Sequence, residues 1–292
     1  MNAFKGVFTA LITPFEDDLT LDVKALARLA NWQVENGVSG IVVSGTTGEA
    51  PNLTDDEFIE IIQTVKRYTK GNIPVIAGVG SNSTEKTIKQ AKLAEKSGAD
   101  ALMVVAPYYN KPMQQGLIEH FKLISISTHL PIIVYNIPGR SVINMEISTI
   151  TALLNFRNIV AIKESTANIL RFTELCDLSD RLSVLCGDDL MALPARALGA
   201  QGVVSVISNF LPDLVVQMHN ACDRGNFDEA KKIHNNLYRL TQLMFIETNP
   251  IPTKYAMSLL SLCKNNLRLP LTPLSEEHKS KVEYELRSFY DF

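Results

Sequence analysis

Cysteine is scarce in this chain, and the four present, Cys176, Cys186, Cys222 and Cys263, are scattered without a C-x-x-C pair. That excludes a zinc ribbon and a disulfide framework together, and leaves small buried hydrophobes in a reducing compartment. The five histidines (His120, His129, His219, His234 and His278) lack i, i+4 ligand spacing, so no His/Cys metal site is expected. Charge of one sign is also lacking. A net charge of -3 with no Lys/Arg run supplies no field to gather nucleic acid or an anionic membrane, and neither is expected as a partner. No run of ~18 apolar residues is present to span a bilayer. The opening stretch, MNAFKGVFTALITPFEDD, is only briefly apolar, is broken at Thr13-Pro14 and shows no small-residue cleavage site, so it does not read as a secretion signal. The expected location is cytoplasmic.

Several familiar motifs are missing as well. GVGSNS (78–83) has Ser83 where the third glycine of a dinucleotide fingerprint should stand, and neither a G-x-x-x-x-G-K-[ST] loop nor a G-x-S-x-G elbow occurs.

What is present is a series of short apolar runs bounded by Gly, Pro or Asn: GVFTALITPF (6–15), GIVVSG (40–45), IPVIAGVG (73–80), ALMVVAP (101–107), LPIIVYNIP (130–138), NIVAIKES (158–165), LSVLCGDD (182–189) and GVVSVISN (202–209). Continuous rather than alternating hydrophobicity suits strands buried on both faces, as in a parallel sheet. Helical segments lie between them. Thr54 and Glu57 form a capping-box pattern before Phe58, Ile61, Ile62 and Val65, and further helices are expected at 84–98, 113–128, 145–155, 168–179 and 190–198. Eight strands each followed by a helix predict an α/β fold, a (β/α)8 TIM barrel, with a doubly wound sheet as the alternative. The barrel is assigned to 1–211 and a C-terminal helical extension packed on it to 212–292.

In such a barrel the functional residues sit at the strand C-termini. Those positions carry Thr13-Pro14, Ser44 to Glu49, Tyr108-Tyr109-Asn110, Tyr135-Asn136, Arg140, Lys163-Glu164-Ser165, Gly187-Asp188-Asp189 and Ser205 to Asn209. Lys163 is central. A lysine held in a barrel mouth loses hydration, which disfavours the ammonium and leaves neutral amine able to attack a carbonyl. Its bland alternative is snorkelling to solvent or pairing with Asp188. Tyr135 could carry protons beside it, or be a packed aromatic with a satisfied hydroxyl. SGTTGE could present backbone N–H groups and the Thr46 and Thr47 hydroxyls to a carboxylate, or be an empty tight turn. Arg140 offers a forked donor for a second carboxylate, or is a solvated surface arginine. A pyridoxal phosphate enzyme would also use a lysine imine. Asp188 and Asp189 stand where a barrel often binds phosphate, however, so no cofactor is expected. The residues together point to imine chemistry on a small carboxylate-bearing ketone.

SGTTGE, YYNKP (108–112), YNIPGR (135–140), IKES (162–165), GDD (187–189) and NPIPTK (249–254), in this order along essentially the whole chain, resemble the dihydrodipicolinate synthase family of pyruvate-dependent class I aldolases. The resemblance implies that Lys163 forms a Schiff base with pyruvate, held by Thr47 and the main chain at Val204, with Gly187 lining the site. Tyr135 would donate and accept protons, linked through Thr46 to Tyr109 of a neighbouring subunit. Arg140 would bind the carboxylate of aspartate semialdehyde; that arginine marks the synthases within the superfamily. The product would feed diaminopimelate and lysine synthesis, and the assembly would be a homotetramer. Alternatives are another pyruvate-dependent lyase, acting on sialic or keto-sugar acids, or a silent barrel used for binding. Asp55, Phe58 and Lys86 replace the pattern of lysine-inhibited relatives, so the resemblance implies weak or absent feedback inhibition by lysine.

Overall fold

Strands buried on both faces need a partner layer on each side, and this chain supplies both. The computed structural model describes residues 4–292. Its strands are β1 (Gly6–Ala10), β2 (Gly40–Val43), β3 (Val75–Gly78), β4 (Ala101–Val105), β5 (Ile132–Asn136), β6 (Ile159–Glu164), β7 (Ser183–Cys186) and β8 (Gly202–Ser205). Each pairs in parallel with the next, and β8 pairs with β1, closing the ring. The expected TIM barrel is therefore the fold, and the doubly wound alternative is not. Along each strand alternate residues face opposite sides. Phe8, Val42, Ile76, Met103, Ile133, Ala161, Leu185 and Val204 fill the interior, while Val7, Ile41, Val75, Leu102, Val134, Ile162, Val184 and Val203 face outward.

The outward set is covered by α1 (Val23–Glu35), α2 (Asp55–Thr69), α3 (Thr84–Lys96), α4 (Gln114–Ser125) and, after the short turn α5 (Pro138–Ser141), by α6 (Ile147–Leu153), α7 (Ile169–Cys176), α8 (Ala192–Ala197) and α9 (Pro212–Asp223). The expected capping box is formed: Thr54 accepts from Glu57 N while Glu57 accepts from Thr54 N. Ser83, at the failed third-glycine position, caps α3 instead. The helix expected at 145–155 is α6, and ahead of it Pro138 starts a separate short turn, not expected from the sequence, that carries Arg140. At the seam, Asn209 Nδ2 donates to Ala10 O at 2.8 Å and Ile12 N donates back to Asn209 Oδ1 at 3.0 Å. Helices α10 (Phe227–Leu243), α11 (Ile251–Leu259) and α12 (Glu276–Leu286) follow, with α10 on α9 and α12 on both α10 and α11. Among the described residues no helix is long and apolar enough to cross a membrane.

One buried imidazole makes stability pH-dependent. His120, on the inner side of α4, has Nδ1 2.9 Å from Thr84 Oγ1 and a buried Nε2 with no partner among the described residues. Burial holds its pKa down at about 4. The unfolded chain takes this proton near pH ~6.5 and the native protein only near 4, so the contribution is full above pH ~6.5 and is lost as pH falls between the two, by about 3 kcal/mol. Denaturant titrations at pH 7 and pH 4.5 should show wild type losing more stability on acidification than His120→Gln, and equal losses would remove His120 as the cause.

Candidate active site

Register brings the central pair together. β5 and β6 align Tyr135 with Lys163 and Asn136 with Glu164, so one pair points into the barrel and the next points out. Lys163 is 6% exposed, and its Nζ lies 4.1 Å from the centroid of the Tyr135 ring. An ammonium on an aromatic face is stabilised by the ring quadrupole. Among the described residues Lys163 makes no ion pair, and the pairing with Asp188 does not occur; Asp188 caps the turn after β7 by accepting from Leu190 N at 2.9 Å. The amine is buried without a carboxylate to hold it. The Tyr135 hydroxyl likewise has no hydrogen bond to a described residue, which leaves it free for a ligand.

The outward pair forms the support. Asn136 Nδ2 donates to both oxygens of Glu164, at 3.1 and 3.0 Å, and Arg171 Nε donates to Glu164 Oε2 at 2.8 Å. Glu164 is fully buried, and an unpaired carboxylate there would be strongly disfavoured. This network clamps the strand positions that aim Tyr135 and Lys163. Sequence reasoning missed it, although strict alternation after an inward Lys163 puts Glu164 under the helices, where it requires a cation.

Gly187 follows β7, and its N–H donates to Glu164 O at 2.8 Å. A Cβ at this position would meet Ser165 Oγ at 2.0 Å and Lys163 Cε at 2.7 Å. Only glycine lets the lysine lie along this wall. Val204, penultimate in β8, closes the same interior from the other side of β7.

The SGTTGE turn spends some of its donors on itself. Gly48 N and Ala50 N bond to Gly45 O, and Glu49 N bonds to Thr46 O. The N–H groups of Thr46 and Thr47 have no acceptor among the described residues, which suits an anion. Thr47 is buried and its Oγ1 accepts from Asn249 Nδ2 at 2.9 Å, while Thr46 is half-buried with no side-chain partner among the described residues. The turn is anchored behind by Glu49, whose Oε1 accepts from Lys254 Nζ at 2.6 Å with both side chains fully buried. Asp189 anchors the β8 exit: its Oδ2 accepts from Val206 N at 2.7 Å and Ile207 N at 3.1 Å, and burial raises its pKa.

Arg140 stands exposed at the rim, with Nη2 3.4 Å from Asn249 O. Tyr109 is 87% exposed with φ +75°, and within the single chain it is hydrogen-bonded to neither Thr46 nor Tyr135. Lys163, Tyr135, Gly187, Val204 and the Thr46-Thr47 turn are thus gathered at the C-terminal mouth, with Arg140 on its edge and Tyr109 outside it. Among the described residues no group of three or more His, Cys, Asp or Glu is placed to hold a metal ion.

These features define a (β/α)8 barrel with a lysine-centred site for a small anionic ligand. Residues 3–288 match the family model described as the dihydrodipicolinate synthetase family. The chain is 46% identical over 287 residues to the 4-hydroxy-tetrahydrodipicolinate synthase of a Sulfurihydrogenibium species, covering 97% of this chain and 98% of that one. Among solved structures it is similar to the dihydrodipicolinate synthase of Aquifex aeolicus, with a TM-score of 0.95, 43% identity and 98% of each chain covered. It is also similar to the chloride-inhibited enzyme of Acinetobacter baumannii complexed with pyruvate, with a TM-score of 0.95, 38% identity and 97% and 98% of the two chains covered. The chain belongs to the dihydrodipicolinate synthetase family.

Proposed function

We propose that this protein condenses pyruvate with L-aspartate 4-semialdehyde to give 4-hydroxy-tetrahydrodipicolinate, entering the diaminopimelate and lysine pathway. The observation that carries the proposal is Lys163: a buried amine without a carboxylate partner, 4.1 Å over the ring of Tyr135, in the mouth of the barrel. Its neutral form attacks C2 of pyruvate. Tyr135 delivers a proton to the carbinolamine hydroxyl, which leaves as water, and the iminium that remains is an electron sink. Loss of a proton from C3 gives the enamine, whose C3 attacks the aldehyde carbon of the second substrate. The aldehyde oxygen takes a proton and becomes the 4-hydroxyl. The substrate amine then adds to C2, Lys163 leaves as free amine, and the ring is closed.

Thr46 and Thr47 hold the pyruvate carboxylate with the main chain at Val204, Gly187 leaves room for the lysine, and Arg140 takes the carboxylate of the semialdehyde. Tyr109 is assigned to the site of a neighbouring copy, relaying protons through Thr46, in a homotetramer. In support, Tyr109, Tyr108 and Met113 leave exposed apolar surface on the loop beside the mouth, the kind a partner covers. Four free thiols fit a cytoplasmic protein. The test is turnover of pyruvate plus aspartate semialdehyde, coupled to a dihydrodipicolinate reductase that consumes NADPH. Borohydride reduction with pyruvate should also add a lactate-equivalent mass to the peptide containing Lys163. Trapping without turnover would keep the imine and reassign the acceptor to another aldehyde, and the absence of both trapping and turnover would overturn the proposal.

Gly187→Ala should lower kcat/KM about 100-fold, the order expected when a reacting group is displaced by about 1 Å. Its denaturation midpoint should stay near that of wild type, because Lys163 and Ser165 can swing into the mouth. Full activity in this variant would mean that the lysine does not react from the observed position.

A further inference from the structure

Asn249 lies on the turn that leads into α11, far along the chain from the barrel strands, and it is buried. It touches two residues assigned above to different substrates. Its side-chain Nδ2 donates to Thr47 Oγ1 at 2.9 Å, and its backbone carbonyl accepts from Arg140 Nη2 at 3.4 Å. Its Oδ1 faces away from Thr47, toward Thr253, whose Oγ1 donates to it at 3.4 Å.

A hydroxyl has one hydrogen to give and two lone pairs to offer. With an amide N–H directed at Thr47 Oγ1, the hydroxyl hydrogen has no acceptor in Asn249 and must point elsewhere. Among the described residues it finds none, and the N–H groups of Thr46 and Thr47 also lack acceptors. Three donors on two neighbouring residues are what a carboxylate would take up. A fixed donor also costs less to engage than one that must first turn.

We propose that Asn249 is a positioning residue: its side-chain amide fixes the Thr47 hydroxyl as a donor to the carboxylate of the ketone substrate, and its carbonyl ties that subsite to Arg140. This rests on the roles given above to Thr47 and Arg140. The polarity of the amide is the essential property. An aspartate of the same shape could only accept, so it would capture the Thr47 hydrogen and remove the donor from the ligand, whereas alanine would merely release it.

The experiment measures KM for both substrates, kcat and thermal midpoint in the coupled assay for wild type, Asn249→Asp, Asn249→Ala, Thr47→Val and the two double variants. Asn249→Asp should raise KM for pyruvate about 10- to 100-fold, the value of one hydrogen bond to a charged group, and Asn249→Ala only about three- to tenfold. KM for aspartate semialdehyde should move less in both, because the backbone carbonyl remains. On a Thr47→Val background neither change at 249 should raise KM for pyruvate further. A merely structural asparagine gives the opposite order, with alanine worse than isosteric aspartate, both KM values shifting together and the thermal midpoint following them; that result overturns the proposal. Should the aspartate variant not fold, the Asn249→Ala and Thr47→Val cycle decides alone, and additive effects on KM for pyruvate overturn it. A wild type that does not turn over the two substrates removes the roles of Thr47 and Arg140, and the proposal with them. A wild type that does, with the aspartate and alanine variants alike, removes the role of Asn249 only.

Discussion

Lys163→Ala is expected to fold and to turn over roughly 10⁴-fold or more slowly than wild type, the scale seen when a covalent nucleophile is removed. The side chain ends at the barrel mouth and makes no ion pair among the described residues, so its loss strands no buried charge. What is given up is the contact with the Tyr135 ring and the packing of the aliphatic stem along Gly187. Borohydride should then trap no pyruvate. Tyr135→Phe separates the two roles, since it keeps the amine and the aromatic face and loses only the phenolic proton. It should still be labelled by pyruvate and borohydride while kcat falls by about 10²- to 10⁴-fold. Retained turnover in Lys163→Ala would show that the amine is not the nucleophile. Unlabelled but active Tyr135→Phe would break the assigned order of imine formation before proton transfer.

The barrel was legible because burial on both faces leaves a mark that does not depend on tertiary detail. Runs such as Ile41-Val42-Val43 and Ala101 to Val105 are apolar at every position, and each turned out to split its residues between the interior and the helical shell. Thr54 and Glu57 announced α2 through a contact only three residues long. The turn at α5 was harder to see. It is four residues long, lies ahead of the helix read at 145–155, and is too short to leave a periodic pattern.

The inward residues of the site were legible for the same reason as the strands, since Tyr135 and Lys163 are polar groups ending apolar runs. Their supports were not. Asn249 meets Thr47 across 202 positions of sequence and Lys254 meets Glu49 across 205. Nothing local in NPIPTK says which turn it will face; that pairing exists only once α11 has docked against the barrel. Glu164 lies between these cases. Its neighbour Lys163 fixes its direction, but only the folded chain shows that Asn136 and Arg171 are the groups that receive it.

Breaking the docking contact from one side should be the most destabilising single change away from the chemistry. Lys254→Met is expected to cost about 3–5 kcal/mol in denaturant unfolding, because it leaves the Glu49 carboxylate buried without its cation. Arg268 N, 3.0 Å from Glu49 Oε2, is a neutral donor and cannot replace the charge. Burial already pulls the Lys254 pKa down against the opposing pull of Glu49, which shows how far desolvation weighs on this pair. Adding Glu49→Gln to Lys254→Met should recover a good part of the loss: the amide keeps an acceptor for Arg268 N and removes the stranded charge, and the methionine keeps the aliphatic packing over Phe15, whose ring lies 4.1 Å from Lys254 Nζ. A double variant as unstable as the single one, or less stable, would place the cost in lost packing or in the hydrogen bond from Lys254 Nζ to Asn266 O at 2.8 Å, and not in the charge. Because Glu49 ends the turn that carries Thr47, the single variant should also raise KM for pyruvate at temperatures where it is still folded, joining the stability of the C-terminal helices to the shape of the mouth.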